Sequence, residues 1–229
     1  MPARAAPAAE SAAAARARMV AEVAAMALAC GEETGRPVLQ PRVMAALGAV
    51  PRHLFLPGAD VDLAYANDAL PIGHGQTISQ PFIVALMTEL ADIAPGDGVL
   101  EIGTGSGYQA AILARLTDRV RSIEIVPQLA ETARARLEAL GCGVEVMAGD
   151  GRPGDAAHAP YDAILVTAAA PEIPPALVAQ LRVGGRLVMP VGAVHGTQTL
   201  MRGVRMAEGG LALRACLGVR FVRLTGAAP

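Results

Sequence analysis

Lysine is absent from this sequence. All 19 basic residues are arginine, and against 21 acidic ones they leave a formal net charge of −2. Without clustered cations a chain cannot neutralise a run of phosphates, so no nucleic-acid partner is expected. No stretch of about 18 uncharged apolar residues occurs, which argues against a transmembrane helix and a membrane partner. Cysteine is scarce: Cys30, Cys142 and Cys216 are odd in number, far apart, and form no CxxC pair. None stands at ligand spacing from His53, His74, His158 or His195, so no metal site and no disulfide framework are expected. The thiols read as free and buried, in a reducing compartment. The N-terminal segment MPARAAPAAESAAAARARM lacks an apolar leader core, carries Glu10, and runs directly into a helical pattern. The expectation is a soluble, cytoplasmic chain with a frayed start, acting as a monomer.

What is present is apolar and helix-forming. Hydrophobic residues make up 53% of the 229 positions, and a mean hydropathy of +0.40 excludes a largely disordered chain. A first helix is expected over 12–29 and a second over about 41–48, separated by GEETGRPV, which breaks the pattern. The proline-bounded VPRHLFLPG cannot stay helical, residues 60–75 read as loop and short strand, and an amphipathic helix follows Pro81. From there strands and helices alternate: GVLEIG, YQAAILARL, VRSIEIV, PQLAETARARLEAL, VEVMAG, YDAILVTAA, PPALVAQL, GRLVMPVG. That order means an α/β fold, a doubly wound and mostly parallel sheet of the Rossmann-like type. Beyond residue 196, strand pieces around Glu208-Gly209-Gly210, ending in LGVRFVRL, read as an antiparallel extension of the sheet edge. The chain is expected to be one domain over 1–229. Its parts are an N-terminal helical and loop segment (about 1–80), a nucleotide-binding core (about 81–195) and C-terminal strands (about 196–229).

The strongest motif is Gly103-Thr104-Gly105-Ser106-Gly107, which follows a strand and opens a helix. Glycine lets the backbone turn tightly and approach a ligand where a Cβ would collide. Glu101 lies just before the first glycine, Glu124 ends the next strand, where a carboxylate can hold ribose hydroxyls, and Asp150-Gly151 follow the third. A dinucleotide turn is usually GxGxxG with the diphosphate on the helix N-terminus. An acidic residue ahead of the glycines suits a cationic ligand better, and S-adenosyl-L-methionine (SAM) carries an ammonium and a sulfonium but no phosphate. SAM is therefore favoured, with Glu101, Gly103, Thr104, Gly105, Ser106, Gly107, Glu124, Asp150 and Gly151 as its contacts. The bland alternative makes Glu101 a loop cap and Asp150-Gly151 a plain turn.

Tyr65-Ala66-Asn67-Asp68-Ala69-Leu70-Pro71-Ile72-Gly73 and then GQTISQP (75–81), LEIGTGSGYQAAILA (100–114), SIE, GDG, PVG and VRFVRL (219–224) resemble the protein-L-isoaspartate O-methyltransferase family. VPRHLFLP (50–57) adds to the likeness, which covers about residues 19–224. GQTISQP is its family-specific part. Phe221-Val222-Arg223-Leu224 departs from the family's usual FVPL, and GEETGRPVLQP is a longer connection than expected. The resemblance implies SAM-dependent methylation of the α-carboxylate of L-isoaspartyl residues in damaged proteins and peptides, starting repair through a succinimide. It implies Ser79 as the active-site residue with Thr77 beside it, and Ile78, Gln80 and Val222 as substrate contacts. Both hydroxyls also suit the cap of the helix that follows. The acceptor carboxylate is already ionised at pH 7, so the absence of GxSxG, HExxH or a triad agrees with the chemistry. A relative acting on a dedicated peptide, and a SAM-binding module without turnover, are the alternatives. DNA adenine methylation is discarded, because Thr167-Ala168-Ala169-Ala170-Pro171 stands where that reaction needs another motif.

Overall fold

In the computed structural model, which describes residues 11–193 and 196–226, several helices begin where the sequence supplies a cap or a proline. The Ser11 hydroxyl accepts from the Ala14 N–H at 3.3 Å and starts α1 (Ala12–Ala29). Pro41, Pro81 and Pro127 fill the first turn of α3 (Pro41–Ala49), α5 (Pro81–Ala91) and α7 (Pro127–Ala139), where a missing N–H breaks no helical bond. The GEETGRPV segment departs from expectation. Before it breaks, it makes one short helix, α2 (Gly31–Thr34), which stops at Gly35 in the left-handed region. Residues Arg52–Phe55 form a single 3-10 turn, and a second short helix, α4 (Val61–Ala64), lies inside the segment expected to be loop. Strands β1 (Leu70–Gly73) and β2 (Gln76–Ile78) then form an antiparallel hairpin. His74 sits at its tip with φ 53, flanked by two left-handed glycines. This hairpin delivers Thr77, Ile78 and Ser79 to the start of α5.

The core continues through β3 (Gly98–Ile102), α6 (Tyr108–Leu113), β4 (Arg119–Glu124), β5 (Val144–Ala148), β6 (Tyr161–Val166), α8 (Pro175–Ala179), β7 (Leu181–Val191), β8 (Gln198–Arg205) and β9 (Leu211–Val219). The seven-stranded sheet has the order β5-β4-β3-β6-β7-β8-β9, parallel from β5 to β7 and antiparallel beyond. Side chains alternate across it. Val99, Ala163, Leu165 and Val188 face the larger core under α1, α3, α5, α6 and α7, while Leu100, Ile102, Ile164, Val166 and Leu187 face the core under α8. Both faces are therefore covered, as a parallel sheet requires.

The last strand ends earlier than LGVRFVRL suggests. Val219 pairs with Gln198, the first residue of β8, so no partner backbone remains beyond it. The Gln198 side-chain oxygen then accepts from the Phe221 N–H at 2.9 Å and turns the chain across the strand ends. There Ala169 exchanges two 2.8 Å hydrogen bonds, donating to Val222 O and accepting from Leu224 N. Cys216 is buried as expected, whereas Cys30 and Cys142 are only partly so. Among the described residues no metal-ligand cluster occurs, and no helix is long and apolar enough to cross a membrane. His195 and the N-terminal start lie outside the described residues.

Candidate active site

Beyond the carboxyl ends of β3, β4, β5 and β6 lies a cavity lined by Gly103 to Ser106, Glu124, Gly151 and Thr167 among others. This is the crevice where open α/β sheets bind ligands, because the chain leaves β3 toward β4 on one side and returns at β6 on the other. Two glycines are needed for their size, and Gly103 for its torsion as well. A Cβ on Gly103, whose φ is 99, would run into the Thr167 hydroxyl, and one on Gly151 would run into the Ile102 side chain. Three glycine amides of the turn are already spent. Gly103 N donates to Ile123 O at 2.8 Å, Gly105 N to the Glu124 carboxylate at 2.7 Å, and Gly107 N to Thr104 O at 2.8 Å. A diphosphate needs such amides free, and here it would also face Glu124. The cradle suits a ligand with hydroxyls and positive charge.

Thr104, Gly105, Ser106, Gly103, Glu124 and Gly151 all reach the cavity wall. Three expected contacts do not. Gly107 holds the left-handed turn and packs toward Leu137 and Ala133 on α7. The Asp150 carboxylate accepts from the Arg152 N–H at 2.9 Å and from its guanidinium. Glu101 is fully buried beneath the turn, where it accepts a short hydrogen bond from Ser122, which in turn meets the Thr104 hydroxyl at 2.6 Å. Its expected role as counter-charge to a cation therefore needs correction, because its oxygens lie in the core. Burial pushes the Glu101 carboxyl up to about 8, against the opposing Ser122 bond and with help from the Glu124 charge.

A raised carboxyl in the folded state has a definite sign. Between the ordinary value of 4.5 and about 8 the unfolded chain releases a proton that the folded chain keeps. Stability is fully present below this window and is lost across it as pH rises, by up to about 1.4 kcal/mol per pH unit. Glu101→Gln is expected to remove that slope. Urea unfolding of both proteins from pH 4.5 to 9, without cofactor, checks it, and parallel pH profiles would refute it.

At the other end of the cavity stand Gln76, Thr77, Ile78 and Ser79. Helix capping does not employ the two hydroxyls: the Phe82 N–H at the start of α5 donates instead to the side chain of Asn67 at 3.0 Å, and Gln80 is the cap residue. A second groove, lined by Met26, Asp68, Gln80, Ile83, Arg220 and Phe221, meets the first cavity from outside. Thr77, Ser79, Thr167 and Val222 line both. Thr167 was not foreseen. Its hydroxyl bonds to Gly103 O at 2.7 Å, tying the end of β6 to the glycine turn. Its position at a strand's carboxyl end, next to the strand that carries the glycines, is the signal that could have found it. Ile78 lies on the cofactor side rather than in the groove, and Gln80 only in the groove. The Val222 carbonyl is already taken by Ala169. Arg223 is exposed, and His74 lines a separate, mostly apolar cavity.

The sequence pattern of protein-L-isoaspartate(D-aspartate) O-methyltransferase matches residues 24–228. The chain belongs to this family. A protein-L-isoaspartate O-methyltransferase 2 from a Polaromonas species is 54% identical over 209 residues, covering 91% of this chain and 99% of that one. A solved protein-L-isoaspartate O-methyltransferase superposes with a TM-score of 0.78 at 27% identity, over 92% of this chain; the chain spans 66% of that protein. A Plasmodium falciparum protein described as such a methyltransferase in complex with S-adenosyl-L-homocysteine has the same fold, with a TM-score of 0.75 at 21% identity over 91% of this chain and 97% of its own. The isoaspartate methyltransferase family uses SAM, and the cavity fits that group. It offers a carboxylate at the end of β4, the Thr104 and Ser106 residues along the glycine turn, and turn amides that mostly pair within the protein instead of facing a phosphate.

Proposed function

We propose that this protein transfers the SAM methyl group to the α-carboxylate of L-isoaspartyl residues in damaged proteins and peptides, with Ser79 and Thr77 orienting the acceptor. The observation that carries the assignment of residues is that the cofactor cavity and the outer groove share Thr77, Ser79, Thr167 and Val222. A bisubstrate transfer needs donor and acceptor to meet at one place, and these four residues surround it. The bound cofactor supplies a methyl group on a positively charged sulfur. Glu124 would hold the ribose, and the glycine turn with Thr104 and Ser106 would hold the methionine portion.

The acceptor carboxylate needs no base, since it is ionised at pH 7. A hydroxyl is the right donor to it. The reaction cancels charge, so a cation paired directly with the reacting oxygen would stabilise the ground state more than the transition state. Ser79 can fix the direction of attack at a smaller cost, and the apolar wall formed by Ile78, Val84 and Val222 keeps water away. After release, the backbone nitrogen following the methylated residue attacks the ester, methanol leaves, and the succinimide opens in water partly to ordinary aspartate. Residues 1–80 contribute Met26, Asp68 and Ala69 to the groove, which supports reading that part of the single domain as a portion of the substrate site. The same reading takes the enzyme as a cytoplasmic monomer acting on protein chains; the net charge of −2 supports the absence of a nucleic-acid partner.

SAM with a labelled methyl group and two peptides differing only in isoaspartate or aspartate at one site test the assignment. Base-labile methyl ester is expected on the isoaspartyl peptide alone. Ester on neither, with SAM binding shown separately, would overturn general repair in favour of a dedicated acceptor or a binding module.

A further inference from the structure

The outer groove is apolar over most of its wall, with Met26, Ile83, Leu217, Val219 and Phe221. Two fixed charges stand in it, Asp68 and Arg220, and both are exposed. Neither side chain has a hydrogen bond or ion pair among the described residues: the carbonyl of Asp68 accepts from buried Arg52, but its carboxylate does not. Other arginines near the sheet edge are engaged. Arg202 donates to Leu90 O at 2.8 Å, and Arg186 donates to Ala91 O at 2.8 Å and to Asp97. Arg220 is thus a cation that the fold has placed in a groove and left without a partner.

Its distance from the reacting centre is set by the chain. Val222 lines both cavities, and two residues of even fully extended backbone span about 7 Å. The Arg220 guanidinium therefore reaches the part of a bound polypeptide within about two residues of the acceptor. It cannot usefully pair with the acceptor carboxylate, for the ground-state reason given above. Exposed ion pairs are weak in water, but an apolar wall on one side strengthens them.

Resting on the methylation reading, we propose that Arg220 selects isoaspartyl sites with an acidic side chain within two residues, while Asp68 favours a basic side chain at a different flanking position. The two charges then set the direction in which the polypeptide lies across the site. Because each acts at one flank, the substrate class is a segment with separated opposite charges.

A panel of isoaspartyl peptides tests this, with a single glutamate or a single arginine moved from two residues before the isoaspartate to two residues after it. The readout is the ratio of kcat/KM for the glutamate and arginine versions at each position, so a general loss of activity in a variant cancels. At one position the native protein is expected to prefer glutamate by about 5-fold, and the preference should shrink at 0.5 M salt. Arg220→Ala should bring that ratio to about one and Arg220→Glu should invert it. Asp68→Asn should erase an arginine preference at another position. Ratios that are the same in native protein and Arg220→Glu at every position would overturn the assignment, even if overall activity falls. No ester on any peptide from the native protein would sink the methylation reading itself, and this inference with it.

Discussion

Ser79→Ala is expected to lower kcat/KM for an isoaspartyl peptide by about 10- to 100-fold, the range for losing one hydrogen bond to a charged group. The thermal midpoint should stay where it is, and the affinity for S-adenosyl-L-homocysteine should change little. The expectation rests on what the hydroxyl does not do. It has no hydrogen-bond partner among the described residues, and the start of α5 is satisfied by Asn67 instead. Were Ser79 a helix cap, its removal would cost about 1 kcal/mol of stability and leave the rate intact. The two roles thus move different observables. Steady-state kinetics with calorimetric unfolding of the same variant decides between them, and a stability loss without a rate loss would refute the catalytic role.

Gly103→Ala is expected to weaken S-adenosyl-L-homocysteine binding by about 100-fold or more. Two costs add. An alanine held at φ 99 carries about 1–3 kcal/mol of backbone strain. Its Cβ would also meet the Thr167 hydroxyl, which cannot easily retreat because it is bonded to the carbonyls of Ile102 and Gly103. The turn must shift, and the cradle with it. Adding Thr167→Ala to Gly103→Ala relieves the collision and leaves the torsional strain, so affinity should recover in part. Titration calorimetry of the three variants checks this. Unchanged affinity in Gly103→Ala would mean that the ligand does not lie over this glycine.

Much of the architecture was legible because it depends on local rules. Short apolar runs rich in branched residues in VRSIEIV and YDAILVTAA, prolines opening helices at 81 and 127, and a glycine run between strand and helix each follow from neighbouring residues alone. The short helices α2 and α4 were not read, since four residues are too few for a periodic signal. The early end of β9 escaped for another reason. LGVRFVRL has the apolar alternation of one strand, but whether a strand continues depends on the length of its neighbour, and β8 begins at Gln198.

The site divides in the same way. The glycine turn, Glu124 and Gly151 were readable because backbone torsions and strand ends fix them. Glu101 carried the right motif and the wrong implication: a carboxylate's charge depends on its burial, which no motif states. That Asp150 pairs with Arg152, two residues on, is likewise stated by no motif.

By itself, then, the sequence determined the alternating α/β sheet, the glycine turn between strand and helix, and the family's GQTISQP segment, since these rest on periodicity and on residues adjacent in the chain. Tertiary structure alone decided that Thr167 and Val222 join Thr77 and Ser79 between two cavities, and that the Asn67 side chain rather than Ser79 accepts from the first turn of α5. It also decided that Arg220 stands in the outer groove with no side-chain partner among the described residues. These are meetings of segments far apart in the chain, and they are set by how the sheet is ordered and where its edge strands stop.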